Sequence, residues 1–329
     1  MSLSTRDFAQ LTEELQDVYN EASMSSIADA MGLEIFDVGE TNLLNYEHQI
    51  LHGIKGIEEV AEGADLPKAY SEEGDNITYS QRYFGGIASI TKKMRKFDLF
   101  DQMKSVVSSI VDDAWNKIDQ SLADIILYGW SSSYTDVYGK TVANLGPDGV
   151  VLFNTGHTND ATGNTYNNII YDGTNYSPAL SRTAIVKTLS EGLAFKDVNG
   201  LNRPIRFDTL LVPPTLEDLA NRIVNGEYIN SSANWDPNQY VKNRIKNIKC
   251  WSRLESTGQG TTRVAYWFMY ASNKVKESLK CKFSERPTLD APDEVYENKN
   301  WDYSLDYFYA TGQGFQAYIR GSEGDNTSS

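Results

Sequence analysis

The chain has 329 residues, 40% of them hydrophobic, enough for two domain-sized cores or one core with long excursions, which argues against wholesale disorder. A formal net charge of −15 with no basic stripe argues against sequence-specific nucleic-acid binding. Cys250 and Cys281 have neither metal nor redox spacing and read as reduced and structural. No apolar run is long enough to cross a bilayer, and the polar, acidic stretch Met1 to Val18 is unlike a signal peptide.

Thr5 to about Ala22 is predicted helical. Phe8, Leu11, Leu15, Val18 and Tyr19 recur at helical spacing, opposite Asp7, Glu13, Glu14 and Asp17. So narrow an apolar face needs a surface to lie on, either this chain's own body or a neighbour's. Further on, Gly53 to Gly63 is glycine-interrupted and Ala64 to Gly74 is polar with Pro67. Asn76 to Phe84 then alternates, with Ile77, Tyr79, Gln81 and Tyr83 on one side. This predicts a hairpin: a long excursion with arms of about 12–15 residues reaching roughly 40–50 Å, or an ordinary surface hairpin.

Asp98 to Tyr128 contains neither Gly nor Pro. Leu99, Met103, Val106, Ile110, Ala114, Ile118, Leu122 and Ile125 form an apolar stripe that Val107, Val111 and Trp115 widen. The spacing predicts one helix, roughly 46 Å long, capped by Asp98 and closed by Gly129. Asp112, Asp113, Lys117, Asp119 and Asp124 rule out a membrane span. With no second long helix in the pattern to partner it, the helix is expected to pack on a sheet.

Gly129 to Ser177 is loop-rich around a short strand, Val150 to Phe153, set off by Gly146-Pro147-Asp148-Gly149. Ser177-Pro178 predicts the cap and first turn of a helix to about Leu193, with Ala184, Ile185, Thr188 and Leu189 inward. A turn at Asp197 to Gly200 leads to a buried strand, Thr209 to Val212. Pro213-Pro214-Thr215 then starts a helix with Leu216, Leu219, Ala220, Ile223 and Val224 on the core, stopped by Gly226. Val264 to Tyr270 reads as a central strand. Trp301 to Arg320 reads as a two-stranded hairpin: out along Trp301, Tyr303, Leu305, Tyr307 and Tyr309, turning near Gly312 and Gly314, and back through Phe315, Ala317 and Ile319. Gly321 to Ser329 reads as a frayed acidic tail. The order of elements gives an α+β chain.

No catalytic, cofactor-binding or metal site emerges from the residues. His48 and His52 would share a helix face, but the glutamate and third ligand of a zinc hydrolase motif are missing. His157 lies in a polar loop, Asn154 to Asn159. Gly258-Gln259-Gly260 and Gly312-Gln313-Gly314 precede no helix and read as turn glycines rather than phosphate loops. Lys68 reads as a solvated lysine near the hairpin tip. The chain is therefore not expected to be an enzyme.

Taken together, the parts resemble the major capsid proteins of tailed bacteriophages, whose fold is named after phage Hong Kong 97. The stretch from Phe195-Lys196-Asp197 to Gly200, then Leu210-Leu211-Val212-Pro213-Pro214 and the helix after it, is the most specific match. Leu152-Phe153 to Asn159, Tyr266 to Tyr270, and Asp306-Tyr307-Phe308 to Arg320 are similar to further strands of those proteins. The resemblance implies an N-terminal arm (1–34), the start of a peripheral domain (35–52) and an extended hairpin, the E-loop (53–90). It then implies more peripheral domain (91–149) with a spine helix (98–128), an axial domain (150–290), returning peripheral strands (291–320) and a tail (321–329).

It also implies a structural subunit that assembles with itself into hexamers and pentamers of an icosahedral head enclosing double-stranded DNA. The chain would be made in the bacterial cytoplasm and end in the virion. Because the body begins within about 35 residues of Met1, a scaffold built into the chain is expected to be absent and a separate scaffolding protein, or none, to serve. Portal and decoration proteins are further implied partners; cofactors and membranes are not. The lysine, asparagine and glutamate set of cross-linking relatives has no counterpart that can be placed here. An encapsulin-like nanocompartment shell is the nearest alternative, and a phage glycan-binding or glycan-cleaving protein is one from another class.

Overall fold

The computed structural model describes residues 5–55, 57–63, 65–68, 70–97, 99–158, 165–196, 200–227, 238–295, 297 and 299–325. The helices are α1 (Thr5–Asp29), α2 (Met31–Ile35), α3 (Lys92–Lys96), α4 (Phe100–Leu127), α5 (Arg182–Leu193), α6 (Pro214–Asn225), α7 (Gln239–Arg244) and α8 (Val275–Ser278). The first strands are β1 (Asp37–Glu40), β2 (Asn45–Lys55), β3 (Tyr70–Ser80), β4 (Arg82–Ile90), β5 (Ser133–Thr135), β6 (Thr141–Ala143), β7 (His157–Thr158) and β8 (Thr165–Tyr166). They continue as β9 (Thr209–Val212), β10 (Asn247–Cys250), β11 (Trp267–Tyr270), β12 (Leu279–Leu289), β13 (Asp293–Glu294), β14 (Trp301–Gln313) and β15 (Ile319–Ser322). Two compact units result. One comprises Met1–Tyr46, Tyr79–Leu122 and Cys281–Thr311; the other comprises Glu47–Thr78, Ala123–Lys280 and Gly312–Ser329.

In the first unit, β1, β12, β14 and β13 form a sheet in that order, with β4 beside β14. The period of two along β14 explains its burial: Trp301, Tyr303, Leu305, Tyr307 and Tyr309 are buried, and the residues between them are half-buried. Phe84 and Phe283 join Tyr307 and Tyr309 on this inner face, with ring centroids 5.0–5.8 Å apart. The main part of α4 covers it. The Trp115 ring lies 6.3 Å from that of Phe283, and Ser121 Oγ is 2.8 Å from the Tyr309 hydroxyl. The expected packing on a sheet is found.

The expectation that α4 lacks a helical partner is corrected. α1 runs to Asp29, seven residues beyond the predicted end, and lies on its own chain. Trp115 Nε1–H donates to Ser23 Oγ (3.1 Å), Ser26 Oγ–H to Asp112 (2.6 Å) and the Tyr19 hydroxyl to the Pro287 carbonyl (2.5 Å). The polar serines 23 and 26 form this contact, so the narrow apolar stripe understated it. The Phe8 side chain and the proposed cap Asp98 lie outside the described residues.

Along α4 the buried line runs through Met103, Val107, Val111, Ala114, Trp115, Ile118 and Leu122, and Val106 and Ile110 are only half-buried. Asp119 and Asp124, two of the charges that exclude a membrane span, are buried. Asp119 accepts the Gly32 N–H at 2.9 Å, and Asp124 accepts the Gly258 N–H at 2.8 Å. The short helix α3 was not foreseen; its Thr91 cap accepts the Met94 N–H at 3.3 Å.

The long hairpin exists with shifted strands. β2 begins at Asn45, and its partner β3 ends at Ser80. The alternating run 76–84 divides at Gln81, whose N–H bonds the Leu44 carbonyl (2.9 Å), and β4 then joins β14 in the first unit's sheet. Tyr79 is consequently buried and Tyr83 exposed, so the predicted common side does not form.

In the second unit the sheet order is β10-β9-β11-β15. β9 and β10 run parallel, and β11 is antiparallel to both β9 and β15, with Met269 opposite Leu210 and Arg320. The predicted central position of the aromatic strand is found, although it starts at Trp267. The inward residues of α5 and α6 pack on this sheet as expected.

Four boundaries are corrected. α5 starts at Arg182, because Ser181, not Ser177, accepts the Ala184 N–H (3.3 Å). Val150 to Phe153 is no strand; one bridge, Leu145 to Val151, holds a tight turn that buries Leu152 and Phe153. β14 does not turn back at Gly312, and β15 joins β11 in the other sheet, so the terminal hairpin is absent. Gly321 and Ser322 are buried strand residues rather than frayed tail, with Ser322 Oγ–H bonded to the Pro178 carbonyl at 2.6 Å. The turn at 197–199 and residues 326–329 lie outside the described residues.

Candidate assembly surfaces

Large exposed apolar side chains mark surfaces that water covers poorly. On the hairpin tip, Ile57 is 87% and Leu66 82% exposed, among the acidic Glu58, Glu59, Glu62 and Asp65. Eleven-residue strands carry this tip, a length of roughly 36 Å at about 3.3 Å per residue. Lys68 is exposed there, as expected.

A second surface is the outer face of the first unit's sheet. Tyr83, Gly85, Ile87 and Ser89 of β4 stand opposite Phe308, Asp306, Ser304 and Asp302 of β14. Tyr83 is 62% and Ile87 68% exposed, and the Tyr83 ring stacks on Phe308 with centroids 4.5 Å apart. The Tyr83 hydroxyl donates to Asp306 (3.2 Å), Ser89 to Asp302 (2.5 Å) and Ser304 to Asp290 (3.0 Å). The hydrogen bond to Asp306, together with the charges of Asp306, Asp290 and Glu285, raises the Tyr83 phenol above its ordinary value. An aromatic platform therefore sits inside a ring of carboxylates.

The residues singled out in the sequence are placed as follows. His48 and His52 lie on a strand, where residues four apart are about 13 Å distant, too far to share a metal. The His52 side chain lies outside the described residues. Among the described residues no group of His, Cys, Asp and Glu is arranged to hold a metal ion.

His157, which the sequence places in a polar loop, is buried at the start of β7. Its Nδ1 is 2.7 Å from Asp148, and its Nε2 is 3.2 Å from both the Leu152 carbonyl and Asn168 Oδ1, so every partner is an acceptor. Burial raises the Asp148 carboxyl. Hydrogen bonds from His157, the Val150 N–H and Gln316 outweigh that and hold it below its ordinary value.

Gly260 (φ +80°) is a turn glycine, but Gly258 and Gly314 are glycines for want of space. Cys250 and Cys281 are free thiols, pushed up by burial to about 11 and about 12. No described helix is long and apolar enough to cross a membrane.

A family model described as phage capsid protein matches residues 76–320. The chain belongs to the phage capsid protein family. No curated protein matches it in sequence. Among solved structures, the capsid of an empty GTA particle is similar at 9% identity with a TM-score of 0.54, over 92% of this chain and 90% of that one. A phage-related protein from Bordetella bronchiseptica gives 10% identity and a TM-score of 0.52, over 93% and 97%. The capsid of Myoviridae phage XM1 gives 11% and 0.50, over 87% and 89%.

The fold is thus the α+β Hong Kong 97-like capsid fold. The chain is a structural subunit of a phage capsid, not an enzyme; its place is the virion, and its function is to assemble with copies of itself. The family match lends no support to a nanocompartment shell or to a glycan-binding or glycan-cleaving protein.

Proposed function

We propose that this capsid subunit fills both the hexameric and the pentameric positions of an icosahedral head enclosing double-stranded DNA, and that the β2–β3 hairpin is the E-loop that ties each copy to its neighbour. The observation that carries this reading is the hairpin tip, where Ile57 and Leu66 stand in water on the end of two long strands. An exposed apolar tip gains free energy only when another surface covers it. In the same reading α1 belongs to the N-terminal arm, α4 is the spine helix, the α5–α6 sheet layer is the axial domain, and β14 returns to the peripheral domain. A separate scaffolding protein, the portal and decoration proteins are the further partners we assign. No residue is assigned a catalytic, cofactor-binding or metal-binding role.

The test is an Ile57→Asp/Leu66→Asp chain. Two buried apolar contacts per interface are worth about 3–6 kcal/mol, so this chain is expected to fold normally by circular dichroism yet sediment as unassembled subunits. Shells formed as readily as by the unaltered chain would contradict the role given to the tip.

A further inference from the structure

The first unit holds two sets of charges that it does not neutralise. The first is α3, Lys92-Lys93-Met94-Arg95-Lys96, a dense cationic run in a chain of net charge −15. Arg95 is engaged within the chain: its guanidinium lies 4.0 Å from the centre of the Trp301 ring and donates to the Lys299 carbonyl. Lys92, Lys93 and Lys96 are exposed. Directly after them Phe97 is 63% exposed, with the Lys96 ammonium 5.9 Å from its ring centre and most of the ring left to water. The second set is Glu285, Asp290, Asp302 and Asp306 around the Tyr83–Phe308 platform. Among the described residues no ion pair joins these carboxylates to a cation, or the three lysines to a carboxylate.

Resting on the shell reading above, we infer that α3 of one copy docks on the outer sheet face of a second copy. Its lysines meet Asp302, Asp306 and their neighbours, and Phe97 covers Tyr83 and Ile87. Charge and apolar surface match on both sides, which a phosphate backbone would not offer: phosphates could take the lysines but leave Phe97 bare. The contact joins different patches of identical chains, so it is heterologous and propagates into rings or a shell. One apolar anchor within a rim of opposite charge is also an arrangement that sets register and suppresses wrong pairings.

Three chains test this beside the unaltered protein, with particle yield read by sedimentation and microscopy. Lys92→Glu/Lys93→Glu/Lys96→Glu sets like charges against each other and is expected to lower yield at least about tenfold. Asp302→Lys/Asp306→Lys is expected to do the same. The chain carrying all five changes restores opposite charge and is expected to recover most of the yield. Circular dichroism of each chain checks that it folds. Asp302→Asn/Asp306→Asn, which keeps groups able to accept from Ser89 and Tyr83, gives a milder loss should the lysine variant misfold.

Normal yield from either charge-reversed chain would overturn the inference, as would failure of the five-change chain to recover. So would normal particles that fail only to retain DNA, which would give the lysines to phosphate. Failure of the unaltered chain to assemble, with or without a scaffold, counts instead against the shell reading on which the inference rests.

Discussion

Replacing Trp115 with alanine is expected to lower the unfolding free energy by about 3–5 kcal/mol, a large share of what a domain of this size has. Trp115 is among the largest fully buried side chains and sits where three elements meet. Its ring faces Phe283 of β12, and its indole N–H donates to Ser23 of α1. Alanine would leave a cavity between helix and sheet and a buried serine without its donor. Trp115→Phe keeps most of the volume and loses only the hydrogen bond, so it should cost about 1–2 kcal/mol. Denaturant unfolding of the unassembled subunit measures both. A Trp115→Ala loss under about 1 kcal/mol would mean that α1 does not lie where it is described.

The second large effect is expected at Gly314. A Cβ there would stand 2.0 Å from the Glu277 carbonyl oxygen, which is backbone and cannot step aside like a side chain. The same stretch is pinned by the Gly314 N–H to Ser278 (2.7 Å) and the Phe315 N–H to Glu277 (3.1 Å). Gly314→Ala should therefore cost about 3 kcal/mol or more. Gly260 is the contrast: it has φ +80° and nothing within 4 Å of its added Cβ, so Gly260→Ala meets only backbone strain, about 1–2 kcal/mol. Thermal unfolding of the two variants should rank them in that order. Equal losses would show that crowding at Gly314 is not what makes it glycine.

These two glycines also mark the limit of what the sequence conveys. Both lie in Gly-Gln-Gly triplets and read alike as turns, and only one of them is. Close approach between segments distant in sequence leaves no local pattern, whereas an αL turn does. Elements with a strong period were legible. α4, β9, α6 and the inward side of α5 fall where periodicity puts them, because each buries one face against a sheet. The division of 76–84 at Gln81 and the passage of the chain from β14 to β15 were not legible. Alternation specifies a strand but not its partner, and here adjacent strands pair in different sheets.

The burial of Asp119 and Asp124 leaves no mark in the sequence either, because each carboxylate is satisfied by a glycine N–H from far along the chain. Of the assembly surfaces, the hairpin was legible from its turn residues. The charged pair of faces was not: overall acidity concealed the short basic run 92–96, and the carboxylates that face outward come from two separate strands and the turn after one of them.

The central claim is that this chain builds a shell from copies of itself, and its most direct measurement is assembly of the purified protein. Light scattering across protein and salt concentration, with electron microscopy of the same fractions, should find closed particles, tubes or sheets, or discrete hexamers and pentamers, from the chain alone or with a scaffolding protein co-expressed. A monomer under every condition, a co-expressed scaffolding protein included, would contradict it.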